Sequence, residues 1–534
     1  MHEAEFGQIV QEAIDPASGV SRAKVDVVVV LLDHSVLPQT SPGCLEREQA
    51  EVAAAIRQIE VTLRGFNENA GAPVLISTIP KPALQPAGSL EQTIPGTSWR
   101  CLEEINRTIR QITTESPNYL FDLAALAELI GLSRWTDPGQ WFTARLPFDQ
   151  IFIPIVTEHL ARVLGAIRGK TKKVLALDLD NTLWSGVIGD DGLEGVRVGQ
   201  GDPVGEAHLD LQRLALRYKQ QGVILAVVSK NDEDVARNAF LELDGMALGL
   251  DDFAVFVANW TDKVSNLRFI AETLNVGTDS IVFVDDNPAE RELVRQQMPE
   301  VSVPELPENP AFYAQVLSAA GYFEAVSFTA EDSQRTEMYQ ANQARQDALS
   351  ESGDLDGFLS SLGMKMSFET VDSQNVNRVT QLINKTNQFN LTTRRHSVSD
   401  VLEMVEDHNC FPYQVKLLDR FGDNGTISVI ICREDDPGIW EIDTWLMSCR
   451  VLKRQVEDAA LNTLVALAEA RGVSSLRGRF SPTGRNGMVS EFFPTMGFSP
   501  LPDAQGPEED SAWTLEIARY QQKKHFITIL QQPS

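Results

Sequence analysis

Cysteine is scarce in this sequence. The 534 residues include five cysteines, at positions 44, 101, 410, 432 and 449. They are widely spaced and odd in number, and no Cys-x-x-Cys pair occurs, which excludes the common structural zinc sites and argues against a disulfide framework. This usage favours a reducing compartment, and we expect the protein to be cytoplasmic.

Basic residues and long apolar runs are also in short supply. The chain has 46 Lys and Arg against 75 Asp and Glu, a formal net charge of −29. An acidic surface repels nucleic acid and anionic membranes, so we expect neither as a partner. No apolar run approaches the about 18 residues that a membrane span needs. The N-terminus lacks a basic region followed by an apolar stretch, so we expect no signal peptide.

The length predicts three domains, at about 100–200 residues per domain. Alternating strand and helix patterns over residues 1–168 predict an α/β domain, and the texture of residues 326–534 is α+β. Residues 169–325 alternate most sharply and predict a doubly wound parallel sheet. Its predicted strands are 174–177, 223–228, 253–257 and 280–284, and its predicted helices are 204–221, 233–243, 263–274 and 289–297.

Polar residues follow the predicted strands of this central sheet. They are Asp178-Leu-Asp-Asn-Thr182, Ser229-Lys-Asn231 and Asp285-Asp-Asn287, and Lys263 opens a later helix. Because ligands bind beyond the carboxyl ends of parallel strands, we expect these side chains to share one edge of the sheet.

These residue types match the needs of phosphoryl transfer. A carboxylate can attack phosphorus, and a second carboxyl two residues further on can protonate the leaving oxygen and then activate water. A hard cation such as Mg²⁺ offsets the repulsion between carboxylates and phosphate. Each motif alone also has a plain structural explanation, as a solvated turn, a helix cap or a surface lysine. Their occurrence together and in order favours one catalytic site.

The motifs resemble those of the haloacid dehalogenase superfamily. Its DxDxT motif is matched by Asp178, Asp180 and Thr182, and its later motifs by Ser229, Lys263 and the acidic pair Asp285-Asp286. The resemblance implies that Asp178 is the nucleophile and Asp180 the acid/base. It also implies that Ser229 and Lys263 bind the phosphoryl group. Magnesium would be held by Asp178, the Asp180 backbone carbonyl, Asp285 and Asp286.

A narrower resemblance covers about residues 115–500. The runs 177–192, 228–231, 283–291, 384–393, 419–425, 448–451 and 483–486 look like those of the FkbH-like branch of that superfamily. The branch implies an enzyme that dephosphorylates a phosphorylated three-carbon acyl metabolite of the 1,3-bisphosphoglycerate type. It would load the glyceryl unit onto the thiol of an acyl carrier protein, in polyketide or related biosynthesis.

A thioester route needs a thiol, and no cysteine lies between Cys101 and Cys410. Such a route would use Cys449 or Cys410, or the acyl group would pass directly to the carrier. Cys449, beside Arg450, is a candidate acyl thiol because a neighbouring cation lowers a thiol pKa. The structural alternative, a small buried residue at a strand end, is the one we prefer.

The flanking regions give weaker signals. The C-terminal region resembles a GNAT acyltransferase domain, which implies an anion site where the run 450–456 leads into a long helix. The glycines expected there are replaced by Leu452, Lys453 and Arg454. The phosphopantetheine arm of a carrier protein is therefore as plausible a ligand for this site as coenzyme A. The candidate substrate- or carrier-binding residues are Asn231, Arg450, Lys453 and Asn486. The N-terminal region is similar in texture to SGNH hydrolases but lacks a Gly-Asp-Ser segment, so we expect it to be non-catalytic.

Three functions therefore stay open. The first is the phosphatase and acyl-loading enzyme described above. The second is a small-molecule phosphatase whose flanking domains only bind substrate. The third is a GNAT-type acyltransferase in which the phosphatase-like domain is catalytically idle.

Overall fold

A computed structural model of the protein describes residues 7–33, 42–328, 335–351, 354–386, 388–483, 486–501 and 510–531. The chain divides into two compact units. One extends to Leu164 and includes Ser397–Asp400, and the other contains the rest from Gly165 onward. The described residues form a three-stranded, a four-stranded and an eight-stranded sheet. The predicted mixed α/β class is thus confirmed, while the boundaries after residues 168 and 325 stay predictions.

The first unit contains a small parallel sheet with flanking helices. Its strands are β1 (Val28–Val30), β2 (Val74–Ser77) and β3 (Tyr119–Phe121), in the order β1-β2-β3. The helices are α1 (Ile9–Ile14), α2 (Gly19–Arg22), α3 (Leu45–Ala70), α4 (Ser98–Glu115), α5 (Leu123–Ile130), α6 (Leu132–Trp135), α7 (Pro138–Ala144) and α8 (Ile153–Ile167), whose last three residues belong to the second unit. Helix α3 buries Val52, Ile59 and Phe66, whose spacing follows the helical period.

One helical segment, Gln150–Ile167, is long and apolar enough to cross a membrane by length and composition alone. The sequence-based prediction considered only uninterrupted apolar residues, and Glu158, His159 and Arg162 interrupt this run. Glu158 and Arg162 form an ion pair one helical turn apart. The segment is 22% buried, and length and composition are the only grounds on which it qualifies as a membrane span.

The central sheet of the second unit carries the motifs. Its strands are β4 (Val174–Leu177), β5 (Ile224–Ser229), β6 (Phe253–Ala258) and β7 (Ile281–Val284), all parallel and in the order β6-β5-β4-β7. The helices are α9 (Ile188–Gly195), α10 (Pro203–Gln220), α11 (Glu233–Glu242), α12 (Lys263–Thr273), α13 (Pro288–Gln297) and α14 (Tyr313–Ala319). The predicted strands and helices of this region are confirmed to within two residues.

Helices cover both faces of this sheet, which confirms the doubly wound fold. Leu175 and Leu225 pack on one face with residues of α10 and α11, and Ala176 and Ile224 pack on the other with residues of α12 and α13. The strands therefore read as unbroken apolar runs, as buried parallel strands do. Side chains cap several of the following helices at the N-terminus, namely Asp202, Asp232, Asp262 and Asn287.

The eight-stranded sheet has the order β13-β14-β12-β11-β10-β9-β8-β15. Its strands are β8 (Lys365–Thr370), β9 (Cys410–Asp419), β10 (Gly422–Asp436), β11 (Ile439–Met447), β12 (Ser475–Phe480), β13 (Ser499–Pro500), β14 (Ser511–Glu516) and β15 (Thr528–Gln531). The helices are α15 (Arg335–Glu351), α16 (Leu355–Ser361), α17 (Val376–Lys385), α18 (Val398–Glu406), α19 (Val456–Ala470) and α20 (Phe492–Met496). The α+β texture predicted for this region is confirmed.

Helix α15 contacts both sheets of the second unit. Gln340 Nε2 donates hydrogen bonds of 3.0 Å to the backbone carbonyls of Asp251 and Phe253, at the start of β6. Arg345 forms a bidentate ion pair with Asp419 at the end of β9, in which Nε donates to Oδ2 at 2.8 Å and Nη2 donates to Oδ1 at 2.7 Å. The helix thus ties the amino-terminal edge of the central sheet to the C-terminal sheet.

Candidate active site

The carboxyl edge of the central sheet gathers charged side chains around one lysine. Lys263 Nζ lies 2.6 Å from Asp178 Oδ1 and 3.0 Å from Asp285 Oδ2, and it donates to the Val228 carbonyl at 2.7 Å. Asp178 directly follows β4, Asp285 directly follows β7 and Lys263 begins α12. The side chain of Lys263 is only 2% exposed. The structure therefore brings three of the sequence motifs into direct contact.

The charge of Lys263 is fixed by its neighbours. Burial alone would lower the pKa of Lys263, but the charges of Asp178 and Asp285 outweigh it and raise the pKa above its usual value. The lysine is therefore an ammonium at neutral pH. It offsets part of the repulsion between two buried carboxylates and is positioned to meet an anionic group bound beside them.

Asp178, Asp285 and Asp286 form a compact group of carboxylates. One carboxylate oxygen from each lies within 4.8 Å of the other two. Burial, followed by the charge of Asp178, raises the pKa of Asp285 to about 7 and that of Asp286 to about 6. This crowding of like charges, together with an oxygen-only donor set, fits a hard divalent cation such as Mg²⁺.

Asp180 is held by donors on both of its oxygens. Oδ1 accepts hydrogen bonds from Trp184 Nε1 at 2.8 Å and from the Ile188 backbone N–H at 3.0 Å, and Oδ2 accepts from Asn231 Nδ2 at 2.9 Å. Burial first, and then the charge of Asp178, raise the pKa of Asp180, although the donors oppose this. Asn231 was predicted to bind substrate or carrier. In the structure it positions Asp180, and its predicted binding role stays a prediction.

Thr182, the last residue of the DxDxT motif, joins the first motif to the fourth. Its Oγ1 accepts from the Asp286 backbone N–H at 3.2 Å and lies 3.5 Å from Asp286 Oδ1. The Thr182 carbonyl contacts Nδ1 of the buried His208 at 2.8 Å. The threonine is completely buried, and its described contacts align the Asp286 turn.

Ser229 and Lys230 occupy the end of β5. Ser229 is buried, and its carbonyl accepts a hydrogen bond of 3.1 Å from the Asn259 backbone N–H. Ser229 follows Val228, whose carbonyl holds Lys263, so it belongs to the same edge of the sheet. Lys230 Nζ pairs with Glu290 at 2.6 Å on the first turn of α13.

Comparison with solved structures identifies the family. The chain is 34% identical, with a TM-score of 0.57, to the N-terminal part of protein BF1531 from Bacteroides fragilis, which contains a phosphatase domain and is complexed with Mg. The match covers 61% of this chain and 86% of that one. The chain belongs to the FkbH-like branch of the haloacid dehalogenase superfamily. The central part of this FkbH-like enzyme is accordingly its phosphatase-type domain.

Weaker matches involve GNAT-family acetyltransferases. An acetyltransferase from Desulfovibrio desulfuricans is 14% identical, with a TM-score of 0.24, and the match covers 28% of this chain and 99% of that one. The ribosomal-protein-S18-alanine N-acetyltransferase of Escherichia coli is 11% identical, with a TM-score of 0.23, over 30% and 99% of the two chains. No protein-family profile and no curated protein matches the chain. The SGNH likeness of residues 1–168 stays a prediction.

The C-terminal candidate residues of this FkbH-like chain lie in two loops. Arg450 Nε donates to Ser448 Oγ at 3.1 Å, and Lys453 is exposed with a φ of 64°. Arg454, which the sequence also suggested could meet an acidic carrier surface, is buried and pairs with Asp419 at 3.2 Å. The side chain of Cys449 lies outside the described residues.

Asn486 has a structural role in this region. Its Nδ2 donates hydrogen bonds of 3.0 Å to the carbonyls of both Asn390 and Ser481, and its Oδ1 accepts from the Thr483 backbone N–H at 2.7 Å. The residue is completely buried. Its predicted role in substrate or carrier binding therefore receives no support from this geometry.

A segment of the chain itself lies between β11 and β12. The parallel pairing of these strands covers only Ile439–Ile442 of β11. Beyond it, the Leu391 N–H donates to the Trp445 carbonyl at 3.1 Å, and the Leu391 carbonyl accepts from Ser481 at 2.9 Å. Phe389, Asn390 and Leu391 are buried. The Phe389–Leu391 segment therefore fills the gap between the two strands.

Proposed function

We propose that this FkbH-like chain is a magnesium-dependent phosphatase that acts on a phosphorylated small molecule through an aspartyl-phosphate on Asp178. The observation that carries the proposal is the contact of Lys263 with both Asp178 and Asp285 in a buried site. The magnesium bound to the similar Bacteroides fragilis domain supports the choice of metal.

The proposed reaction has two steps that use the same residues. An Asp178 oxygen forms a bond to phosphorus while the bond from phosphorus to the leaving oxygen breaks, and Asp180 gives that oxygen a proton. Water then attacks phosphorus, Asp180 removes a proton from it, and the Asp178 carboxylate is released with inorganic phosphate. The raised pKa of Asp180 suits a group that must carry a proton in the first step.

The cation and Lys263 would neutralise different parts of the negative charge in the site. Asp178, Asp285 and Asp286 would hold magnesium, with the Asp180 backbone carbonyl, and the ion would neutralise the charge shared by these carboxylates and the phosphoryl group. Lys263 binds a phosphoryl oxygen from the side of β5, where Ser229 adds a hydroxyl. The acidic chain thus creates a local positive field at an otherwise negative surface.

Chelation tests the metal requirement. We expect EDTA to lower phosphate release from p-nitrophenyl phosphate by at least about 100-fold, because three carboxylates would then face the phosphoryl dianion with one lysine between them. Excess Mg²⁺ should restore the rate. Phosphate released per minute is the measurement, and an unchanged rate after exhaustive chelation would contradict the metal's role.

We further propose that the substrate is of the 1,3-bisphosphoglycerate type and that its glyceryl unit passes to a carrier protein in polyketide or related biosynthesis, in a reducing cytoplasm. A thiol attacks the acyl carbon and displaces the acyl phosphate, while Asp178 takes the phosphoryl group of the ester phosphate, so the acyl activation is kept for the thioester. The described cysteines bear on the route of that transfer. Burial is the main cause that raises the pKa of Cys101 and of Cys410 to about 11, and it also raises the pKa of Cys432. Such thiols are poor nucleophiles, which argues against Cys410. Of the two cysteines considered for a thioester route this leaves Cys449, and the alternative is direct transfer to the carrier thiol.

A small-molecule phosphatase with binding-only flanking regions is the second candidate. It is favoured by the Phe389–Leu391 segment, which occupies the gap between β11 and β12. A phosphopantetheine arm could lie between these strands only if it displaced that segment. On this account the C-terminal sheet has no acyl-transfer chemistry, and the central site alone is catalytic.

The mass of a carrier protein separates the two candidates. We expect incubation with Mg²⁺ and 1,3-bisphosphoglycerate to add one glyceryl unit to the phosphopantetheine thiol of an acyl carrier protein. An Asp178→Asn variant should add no glyceryl unit, because the ester phosphate then stays on the three-carbon unit. Phosphate release without any gain in carrier mass would favour the simple phosphatase. Loading of the dephosphorylated glyceryl unit by Asp178→Asn at the wild-type rate would instead indicate an idle phosphatase-like domain and an acyltransferase.

A further inference from the structure

Arg291 on α13 holds the backbone of the acidic pair. Its Nη1 donates to the carbonyl of Asp285 at 2.9 Å and to the carbonyl of Asp286 at 2.6 Å. Its Nη2 donates to Glu305 Oε1 at 2.5 Å and to the Leu306 carbonyl at 3.3 Å. The side chain is only 3% exposed. One buried guanidinium therefore joins the Asp285-Asp286 turn to the chain that follows α13.

The turn needs this contact because it carries two like charges. The carbonyls of consecutive residues converge on one guanidinium nitrogen, which fixes the peptide units from which both carboxylates extend. At the outer end, the Asn287 N–H donates to Asp285 Oδ1 at 2.9 Å, and at the inner end Thr182 accepts from the Asp286 N–H. Without a donor for the two carbonyls, repulsion between the carboxylates would favour turns that separate them.

We propose that Arg291 is a positioning residue for the divalent-cation site and that it holds Asp285 and Asp286 in the geometry that a cation needs. This inference rests on the proposed magnesium dependence. Arg291 acts through backbone carbonyls and does not itself touch the reacting groups. Residues that orient metal ligands commonly change metal affinity about 10- to 100-fold when they are replaced.

Arg295 provides a matched control on the same helix. It lies one turn further along α13, and its Nη2 donates to Glu305 Oε2 at 2.5 Å and to the Val303 carbonyl at 3.2 Å. Arg291 and Arg295 thus share the Glu305 carboxylate, while only Arg291 has described contacts with the carbonyls of the acidic pair. A purely structural role through Glu305 would make the two arginines equivalent.

Calorimetric titration of metal-free protein with Mg²⁺ tests the inference. We expect Arg291→Met to raise the Kd for Mg²⁺ at least about tenfold, and Arg295→Met to change it by less than about twofold. Arg291→Lys should give an intermediate Kd, because an ammonium keeps the charge but has a shorter reach. In phosphate release, the Mg²⁺ concentration for half-maximal rate should rise in Arg291→Met more than the rate at saturating Mg²⁺ falls.

The outcomes separate this inference from the proposed function. A wild-type protein that binds no Mg²⁺ would overturn both. Wild-type binding with an unchanged Kd in a folded Arg291→Met, or an equal loss in Arg295→Met, would overturn only the role of Arg291. Thermal unfolding without metal shows whether Arg291→Met folds. If it does not, Arg291→Lys replaces it as the test variant. A wild-type Kd for Mg²⁺ in Arg291→Lys would then overturn the proposed role of Arg291.

Discussion

Asp178→Asn is expected to lower phosphate release by at least about a thousandfold, because the amide cannot attack phosphorus. Asp178 lies 2.6 Å from Lys263, and its backbone N–H is fixed to the Val284 carbonyl at 2.9 Å, so the substitution changes one oxygen and leaves the surrounding contacts available. The steady-state rate with p-nitrophenyl phosphate in saturating Mg²⁺ is the measurement.

Asp210→Asn is the control for this variant. Asp210 is exposed on α10, in the same domain, and the same change of charge there should leave the rate within about twofold of the wild type. Circular dichroism should show both variants folded. An Asp178→Asn protein that retains more than a tenth of the wild-type rate would contradict the assignment of the nucleophile.

Lys263→Met is expected to have the largest effect on stability. It removes the ammonium that lies between Asp178 and Asp285, and these side chains are 11% and 1% exposed. Removal of one partner from a buried ion pair leaves an uncompensated buried charge and typically costs about 3–5 kcal/mol in the free energy of unfolding. Phosphate release should also fall, by about 100-fold or more, because a phosphoryl ligand is lost.

Lys219→Met is the matched control for this lysine. Lys219 pairs with Asp252 at 2.6 Å in the same domain, but the two side chains are 21% and 18% exposed. Solvent screening should limit the cost to about 1 kcal/mol. Urea denaturation of both variants in EDTA measures the difference. Equal losses of stability would show that the contacts of Lys263 contribute no more than an ordinary lysine pair.

The central fold could be predicted from the sequence because its strands are buried on both faces. Val174–Leu177 and Ile281–Val284 are unbroken apolar runs, and the residue after each is the acid that begins a motif. Since the carboxyl ends of parallel strands share one edge, the order of the motifs was enough to expect Asp178, Lys263 and Asp285 near one another. The structure adds the distances.

The supporting contacts could not be predicted because they depend on tertiary packing. Arg291 lies within a recognised motif, but nothing in its spacing indicates that its guanidinium meets two carbonyls of the preceding turn. Asn231 likewise reads as a loop residue facing a ligand, and its amide instead holds Asp180. Asn390 and Asn486 are 96 positions apart in the chain, so no local sequence pattern could predict the hydrogen bond between them.

Peptide mass mapping of Asp180→Asn tests the central claim most directly. This variant should form the aspartyl-phosphate from p-nitrophenyl phosphate, whose leaving group needs little protonation, but should hydrolyse it slowly because water lacks its base. After an acid quench in the presence of Mg²⁺, the account predicts one phosphoryl group on the peptide that contains Asp178. No phosphoryl group on that peptide, or one on a different residue, would contradict it.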